Sequence, residues 1–330
     1  MTFADLPILD ATAVEELLPF QTAISSIELA LSTGTAPGTT PPRDVLAVGN
    51  SDLLIMPSHA GQYFGVKLAT VNSLSAQLNV PRIQGIYALF DSRTMSPVAL
   101  MDAVTLTTIR TAAVSAVAVD RLATENSRRL TVFGTGPQAW SHISAIATVR
   151  PLTDISIVGR DSHKVDELVT RCERAGFSAQ SWSATDPHIG DIERADIVAC
   201  CTSATTPLFD SSRLAPHATV VAIGSHSPSA REVDSALVNR ATVVVETKES
   251  AWREAGDLIL AVKEGVTTES AIDGDLSQLV SGLIPIHSDR PRLFKSVGEA
   301  WSDVVTATAV FGRLSMDDAR PARHPRNQMS

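Results

Sequence analysis

The chain has 330 residues, a formal net charge of −9 and 44% hydrophobic residues. That length exceeds one compact core and suits two domains, and the hydrophobic content argues against disorder. The acidic balance argues against a nucleic-acid footprint, and the three cysteines, Cys172, Cys200 and Cys201, form no C-x-x-C pair, which predicts a reducing, cytoplasmic setting.

Met1 to Asp10 carries Asp5 and Asp10 without a basic stretch, so no signal peptide is expected. No apolar run is expected to reach the ~20 residues that span a bilayer. Thr12-Ala-Val-Glu15 reads as a capping box opening a helix through about Leu31, with Gly34 ending it. A turn-rich loop follows, then short strands at Val45–Val48, Leu53–Met56, Phe64–Val71, Ile83–Phe90 and Val98–Met101. Consecutive strands without intervening helices predict an antiparallel or mixed sheet. Arg43 stands at a strand entrance. Lys67 interrupts an apolar strand, either as an outward lysine on an edge or as an anion ligand in a cleft. A helix from Asp102 or Thr105 to about Leu122 has a face of small residues, and its Arg110 either snorkels to solvent or points at a ligand.

The stretch Leu130 to Asp161 reads as a βαβ unit. An apolar run leads into Gly134-Thr-Gly-Pro-Gln-Ala139, a helix-length segment follows, and a second apolar run ends in Gly159-Arg160-Asp161. Gly134 permits the tight turn, Gly136 lets backbone approach a pyrophosphate, and Ala139 takes the third glycine's place where helix meets sheet. Pro137 suits a first helical position, and the helix amides would face phosphates. A helix over Ser162–Ala175, a weak strand at Ala179–Trp182, a short helix over Asp186–Arg194 and strands at Asp196–Cys201, Thr219–Ile223 and Thr242–Glu246 continue the alternation. The fold class is therefore α/β: a Rossmann-type doubly wound parallel sheet plus a second, α+β domain. Ligands bind such sheets at the carboxyl ends of the strands, which brings Gly134–Gln138, Arg160, Thr202, Ser203 and Gly224–His226 to one rim. An arginine after the second strand accommodates the 2′-phosphate of NADP, so NADP(H) is favoured over NAD(H). Asp161 either reads a ribose or caps the next helix. His226 is either a catalytic acid or a solvated loop residue. The histidines lack ligand spacing, so no metal is expected. The tail from Asp317 is polar and is expected to fray.

Several motifs stand in a specific order: Met56-Pro57, Gly65-Val-Lys67-Leu68, Gln84-Gly-Ile-Tyr-Ala-Leu-Phe-Asp91, Arg110-Thr-Ala-Ala113, the Gly134 turn, Gly224-Ser-His-Ser-Pro-Ser-Ala-Arg-Glu-Val-Asp234 and Phe294-Lys-Ser-Val-Gly298. From about residue 10 to 315 the chain resembles the ornithine cyclodeaminase/mu-crystallin family. That resemblance implies a homodimer, with residues 1–118 as a substrate-binding and dimerisation domain, 119–292 as the dinucleotide domain, and 293–330 as a C-terminal helix returning to the first. It implies that Arg43, Lys67 and Arg110 hold a substrate carboxylate and that Gln84 lines the same pocket. Arg110, Thr111, Gly134, Gly136, Pro137, Gln138, Arg160, Thr202, Ser203, Gly224, His226 and Ser296 would contact the cofactor. Ornithine cyclodeaminases carry Asp where this chain has His226, which counts against ornithine cyclisation. The expected reaction is NAD(P)H-dependent reduction of an α-imino acid, a cyclic ketimine such as Δ1-pyrroline-2-carboxylate or Δ1-piperideine-2-carboxylate, with Lys67 or His226 as proton source. The alternatives are ornithine cyclodeaminase itself, an amino-acid dehydrogenase, and a non-enzymatic NADPH or small-ligand binder.

Overall fold

The computed structural model describes residues 5–36, 40–186 and 189–318. Most of the expected frayed tail, three residues of the turn-rich loop after Gly34, and two residues of the expected helix over 186–194 lie outside the described residues.

The first sheet has six strands in the order β1-β6-β5-β4-β3-β2. They are β1 (Ile8–Leu9), β2 (Asp44–Val48), β3 (Ser51–Ala60), β4 (Tyr63–Val71), β5 (Ile83–Asp91) and β6 (Pro97–Asp102). All pairs are antiparallel except β1 with β6. The N-terminal helix is two helices, α1 (Ala11–Leu17) and α2 (Phe20–Ser32). Pro19 separates them because it has no N–H to continue the ladder. Asp10, not Thr12, caps α1, accepting from the Ala13 amide at 2.9 Å. A short helix, α3 (Ser75–Leu78), precedes β5.

Helix α4 (Ala103–Leu122) joins the two halves and is capped by Asp102. By length and composition alone, with a mean hydropathy of 1.2, it could cross a membrane, but 72% of that stretch is buried inside the molecule. It is a core helix, packed against α2 and closely against α5 (Pro137–Val149), where Ser115 reaches His142. Arg150 finishes α4, donating to the carbonyls of Asp120 at 2.6 Å and Ala123 at 2.9 Å, the orphan acceptors of a helix end.

The second sheet has eight parallel strands in the order β13-β12-β14-β11-β10-β7-β8-β9. They are β7 (Arg129–Phe133), β8 (Asp154–Gly159), β9 (Ser178–Ser183), β10 (Ile197–Cys200), β11 (Thr219–Ala222), β12 (Thr242–Val245), β13 (Gly274–Asp275) and β14 (Arg292–Lys295). Helices α6 (Ser162–Arg174), α7 (Ser235–Arg240), α8 (Lys248–Glu254), α9 (Gly256–Lys263) and α10 (Leu276–Val280) complete this half. The segment Ile189–Arg194 is a 3-10 turn rather than an α-helix. The chain winds outward from β7 through β8 to β9, then crosses back to β10, so the strand order reverses between β7 and β10. That reversal opens the crevice where doubly wound sheets bind ligands. Strand β14 lies inside this sheet, between β11 and β12, so residues 293–295 belong with the parallel sheet and not with the C-terminal helix. Helix α11 (Ala300–Asp318) does return to the first half, packing on β3, β4, α2 and α4.

His142 ties α5 to α4. Its buried ring donates from Nδ1 to the Gln138 carbonyl at 2.8 Å and accepts at Nε2 from the Ser115 hydroxyl at 2.9 Å. Burial lowers its pKa from 6.5 to about 4. The unfolded chain therefore binds the extra proton between those values, and stability falls as pH drops through that window. The loss amounts to about 3 kcal/mol. Urea unfolding at pH 7 and pH 4.5 should show a His142→Gln variant losing less stability than the unaltered protein over the same interval. Parallel losses would contradict this account.

Candidate active site

The carboxyl ends of five neighbouring strands, β14, β11, β10, β7 and β8, carry Ser296, Gly224, Thr202, Gly134 and Arg160 in that spatial order. Gly134 has φ +116°, and a Cβ there would lie 2.5 Å from the Cys201 carbonyl oxygen, so the turn out of β7 requires glycine. Gly136 is the N-cap of α5 and faces open space, and no side chain caps the helix. Ala139 is fully buried where α5 meets the sheet. Gln138 has a buried Oε1 without a hydrogen-bond partner among the described residues. Uncapped amides and an open glycine cradle fit the phosphates of a dinucleotide, whereas the Gln138 oxygen, an acceptor, fits a donor such as a ribose hydroxyl.

At the β8 tip Arg160 is exposed, with no hydrogen bond or ion pair to the described residues. Asp161 caps α6, accepting from the amides of His163 at 3.1 Å and Lys164 at 3.3 Å. Two of the expected cofactor-contacting residues have hydroxyls engaged within the chain. The Thr202 hydroxyl is engaged, donating to Glu232 at 2.7 Å and accepting from the Ala204 amide at 3.1 Å, whereas Ser203 is exposed. Ser296 is buried and donates to Glu246 while accepting from the Gly298 amide at 3.1 Å, so its hydroxyl shapes its own loop instead of facing the rim. Thr111 is buried on α4 beside Arg110.

Beside the loop that follows β14, three cations from the first half converge. Lys67 and Arg110 are 3% exposed and share one carboxylate: Lys67 Nζ is 2.7 Å from Asp303 Oδ2, and Arg110 Nε is 2.9 Å from Asp303 Oδ1. Lys67 also donates to the Thr107 hydroxyl at 3.2 Å. Arg43 donates from Nη2 to the carbonyls of Val297 at 2.7 Å and Gly298 at 2.9 Å and pairs with Glu254 at 2.8 Å. The terminal amino groups of Arg110 make no hydrogen bond to the described residues. They lie against Gly298 (φ +76°), where a Cβ would come within 3.2 Å of Nη1. A side chain at 298 would close the face of the guanidinium fork. A buried fork with free donors has the chemistry to take a carboxylate, because planar guanidinium matches both carboxylate oxygens.

Burial lowers the Lys67 pKa from 10.5 to about 8. Asp303 opposes that fall, while Arg110 and Arg43 add to it. His226 lies in the loop that follows β11 and is exposed to solvent. Partial burial, and then the Arg43 charge, hold its pKa below the ordinary imidazole value of 6.5. No hydrogen bond joins it to Arg43, Lys67 or Arg110.

Gln84 does not belong to this cluster. It is exposed and pairs with Thr70, whose side chain points to the opposite face of the sheet from Lys67. The residue opposite Lys67 on β5 is Tyr87, which is buried, with a hydroxyl that has no partner among the described residues and lies against Gly65. Sequence reasoning also missed Asp303, Glu254, Glu246 and Glu232. Asp303 had a legible signal: it is a lone acid in the apolar run Ala300–Val310, as Lys67 is a lone base in its strand.

The family model described as the ornithine cyclodeaminase/mu-crystallin family matches residues 6–318. A Δ1-pyrroline-2-carboxylate reductase of Bacillus cereus is 35% identical over 314 residues, covering 93% of this chain and 96% of the relative. The structure of Thermococcus litoralis Δ1-pyrroline-2-carboxylate reductase in complex with NADH and L-proline superposes with a TM-score of 0.88 at 26% identity, covering 95% of this chain and 98% of that one. An archaeal alanine dehydrogenase dimer with bound NAD gives a TM-score of 0.87 at 25% identity, covering 96% and 98%. With a family match over residues 6–318 and a relative 35% identical over 93% of the chain, this chain belongs to the ornithine cyclodeaminase/mu-crystallin family.

Proposed function

We propose that the protein reduces the C=N bond of a cyclic α-imino acid, Δ1-pyrroline-2-carboxylate or Δ1-piperideine-2-carboxylate, to the corresponding amino acid. The observation that carries this reading is the free fork of buried Arg110, set with Lys67 beside the loop that follows β14. The relatives that are pyrroline-2-carboxylate reductases support it. The nicotinamide cofactor supplies the hydride. The chain's own residues do the rest. Arg110 and Lys67 take the substrate carboxylate, and Arg43 holds the Val297–Gly298 backbone beside them. Fixing the carboxylate fixes the adjacent imine carbon, which converts encounter into orientation. Reduction adds one hydride to carbon and needs one proton on nitrogen. With its pKa below 6.5, His226 is neutral at pH 7 and is a poor donor there. Lys67, with a pKa of about 8, is still protonated at that pH. Lys67, or a substrate bound as its iminium, is therefore the source of the proton.

NADPH is favoured over NADH because Arg160 is unpaired at the β8 tip while Asp161 is committed to its cap. The protein acts as a homodimer. Support comes from the outer face of the first sheet, where Leu46, Val48 and Ile86 are about half exposed (55%, 56% and 49%) beside Ile55 and Leu68. Such an exposed apolar patch on an antiparallel sheet is an association surface.

The direct test is NADPH oxidation with Δ1-pyrroline-2-carboxylate and recovery of proline; no turnover on any cyclic imino acid would overturn the reading. Asp303→Asn removes the charge that raises the Lys67 pKa, so the alkaline limb of kcat/KM should move to lower pH by about one unit or more, with NADPH affinity unchanged. An unmoved pH profile would contradict the assignment of Lys67. Arg160→Ala should reduce the NADPH-over-NADH ratio of kcat/KM by roughly tenfold, the worth of a charge-assisted pair; an unchanged ratio would remove the cofactor argument. Sedimentation should give about twice the 35.0 kDa chain mass, and Ile86→Asp should return it to a monomer.

A further inference from the structure

Glu232 is fully buried and has no place in the chemistry above. It lies between the ends of β10 and β11, where two rim loops begin. Its Oε1 accepts from the Thr202 amide at 2.8 Å and the Thr202 hydroxyl at 2.7 Å, and its Oε2 accepts from the Gly224 amide at 2.7 Å. One carboxylate thus takes three donors from two neighbouring loops. The loops are in direct contact, since a Cβ on Gly224 would lie 1.9 Å from the Thr202 carbonyl oxygen.

Glu232 is itself held. Its amide donates to Asp257 Oδ1 at 2.7 Å, and Asp257 Oδ2 lies 2.8 Å from Lys295 Nζ. Lys295, in β14, donates to the Ser225 carbonyl at 2.7 Å, next to His226. Three adjacent strand ends are tied through one buried charge network. Asp257 and Lys295 are as fully enclosed as Glu232, so the network is insulated from solvent and geometrically stiff.

We infer that Glu232 is a positioning residue for the nicotinamide half of the dinucleotide, holding the Thr202 and Gly224–His226 loops in fixed register. The adenine half has its own determinants at the Gly134–Gln138 turn and Arg160, on β7 and β8. The remaining half must cross β10, β11 and the end of β14, next to the Val297–Gly298 backbone that Arg43 grips. The inference rests on the nicotinamide reading above.

The test compares whole and half cofactor on the apo protein by titration calorimetry, using NADPH against 2′-phospho-ADP-ribose and NADH against ADP-ribose. In Glu232→Gln one oxygen becomes an amide that confronts an N–H donor. NADPH binding should weaken at least tenfold, while 2′-phospho-ADP-ribose binds within twofold of the unaltered protein. Equal binding of both, or parallel weakening of both, would overturn the inference. Should Glu232→Gln not fold, Thr202→Val removes one donor of three, and the same selective loss, at least threefold, is required; no selective loss would again overturn it. If the unaltered protein binds neither reduced cofactor, the nicotinamide reading fails instead.

Discussion

Asp303 grips Lys67 and Arg110 with the two oxygens of a single carboxylate, and through them it joins β4, α4 and α11. Each cation taken alone would be costly to bury, by several kcal/mol even after relaxation. Shared on one acid they are tolerated, and each keeps donors to spare. The apolar face of the last helix brings it back to the first sheet, and this interaction fixes its register there. It also sets the charge of the site, since Asp303 keeps Lys67 protonated near neutral pH while leaving the Arg110 fork open.

The parallel sheet supplies the complementary constraint. Its reversal between β7 and β10 opens a crevice, and the insertion of β14 beside β11 delivers Ser296, Val297 and Gly298 to that crevice's edge. The loop after β14 is where the two halves meet. Arg43 grips its carbonyls, Glu246 accepts from Ser296, and Gly298 leaves room for the Arg110 fork. Two buried acids, Glu232 and Glu246, tie strand-end loops that would otherwise carry unsatisfied amides.

Local signals made much of this legible. The βαβ unit from β7 to β8 declares itself because a tight turn with positive φ demands glycine, and the short antiparallel strands declare themselves through composition. The oddity of Lys67 and Arg110 in apolar segments was visible, but its explanation sits 236 and 193 residues away at Asp303, beyond any local pattern. Strand β14 was hidden because its Lys295 and Arg292 look unfit for a central strand; Asp257 and the His217 carbonyl make them fit. Gln84 was misplaced because motif proximity ignores the two-residue alternation of a strand, which turns Tyr87 to the cluster and Gln84 to the far face. Thr202 and Ser296 lie at the rim as expected, yet their hydroxyls are taken by acids that only the folded chain brings near.

The central claim is that buried Arg110 and Lys67, poised by Asp303, form a seat for a substrate carboxylate opposite the cofactor. It is tested most directly by calorimetric binding of L-proline and L-prolinamide to the protein loaded with oxidised cofactor. The two ligands differ only in whether the group meeting the guanidinium fork is charged and bidentate. The account predicts that L-proline binds and that L-prolinamide binds weaker by about 100-fold or more, the loss of a charge-assisted bidentate contact in a buried site. Equal affinity for the two would contradict it.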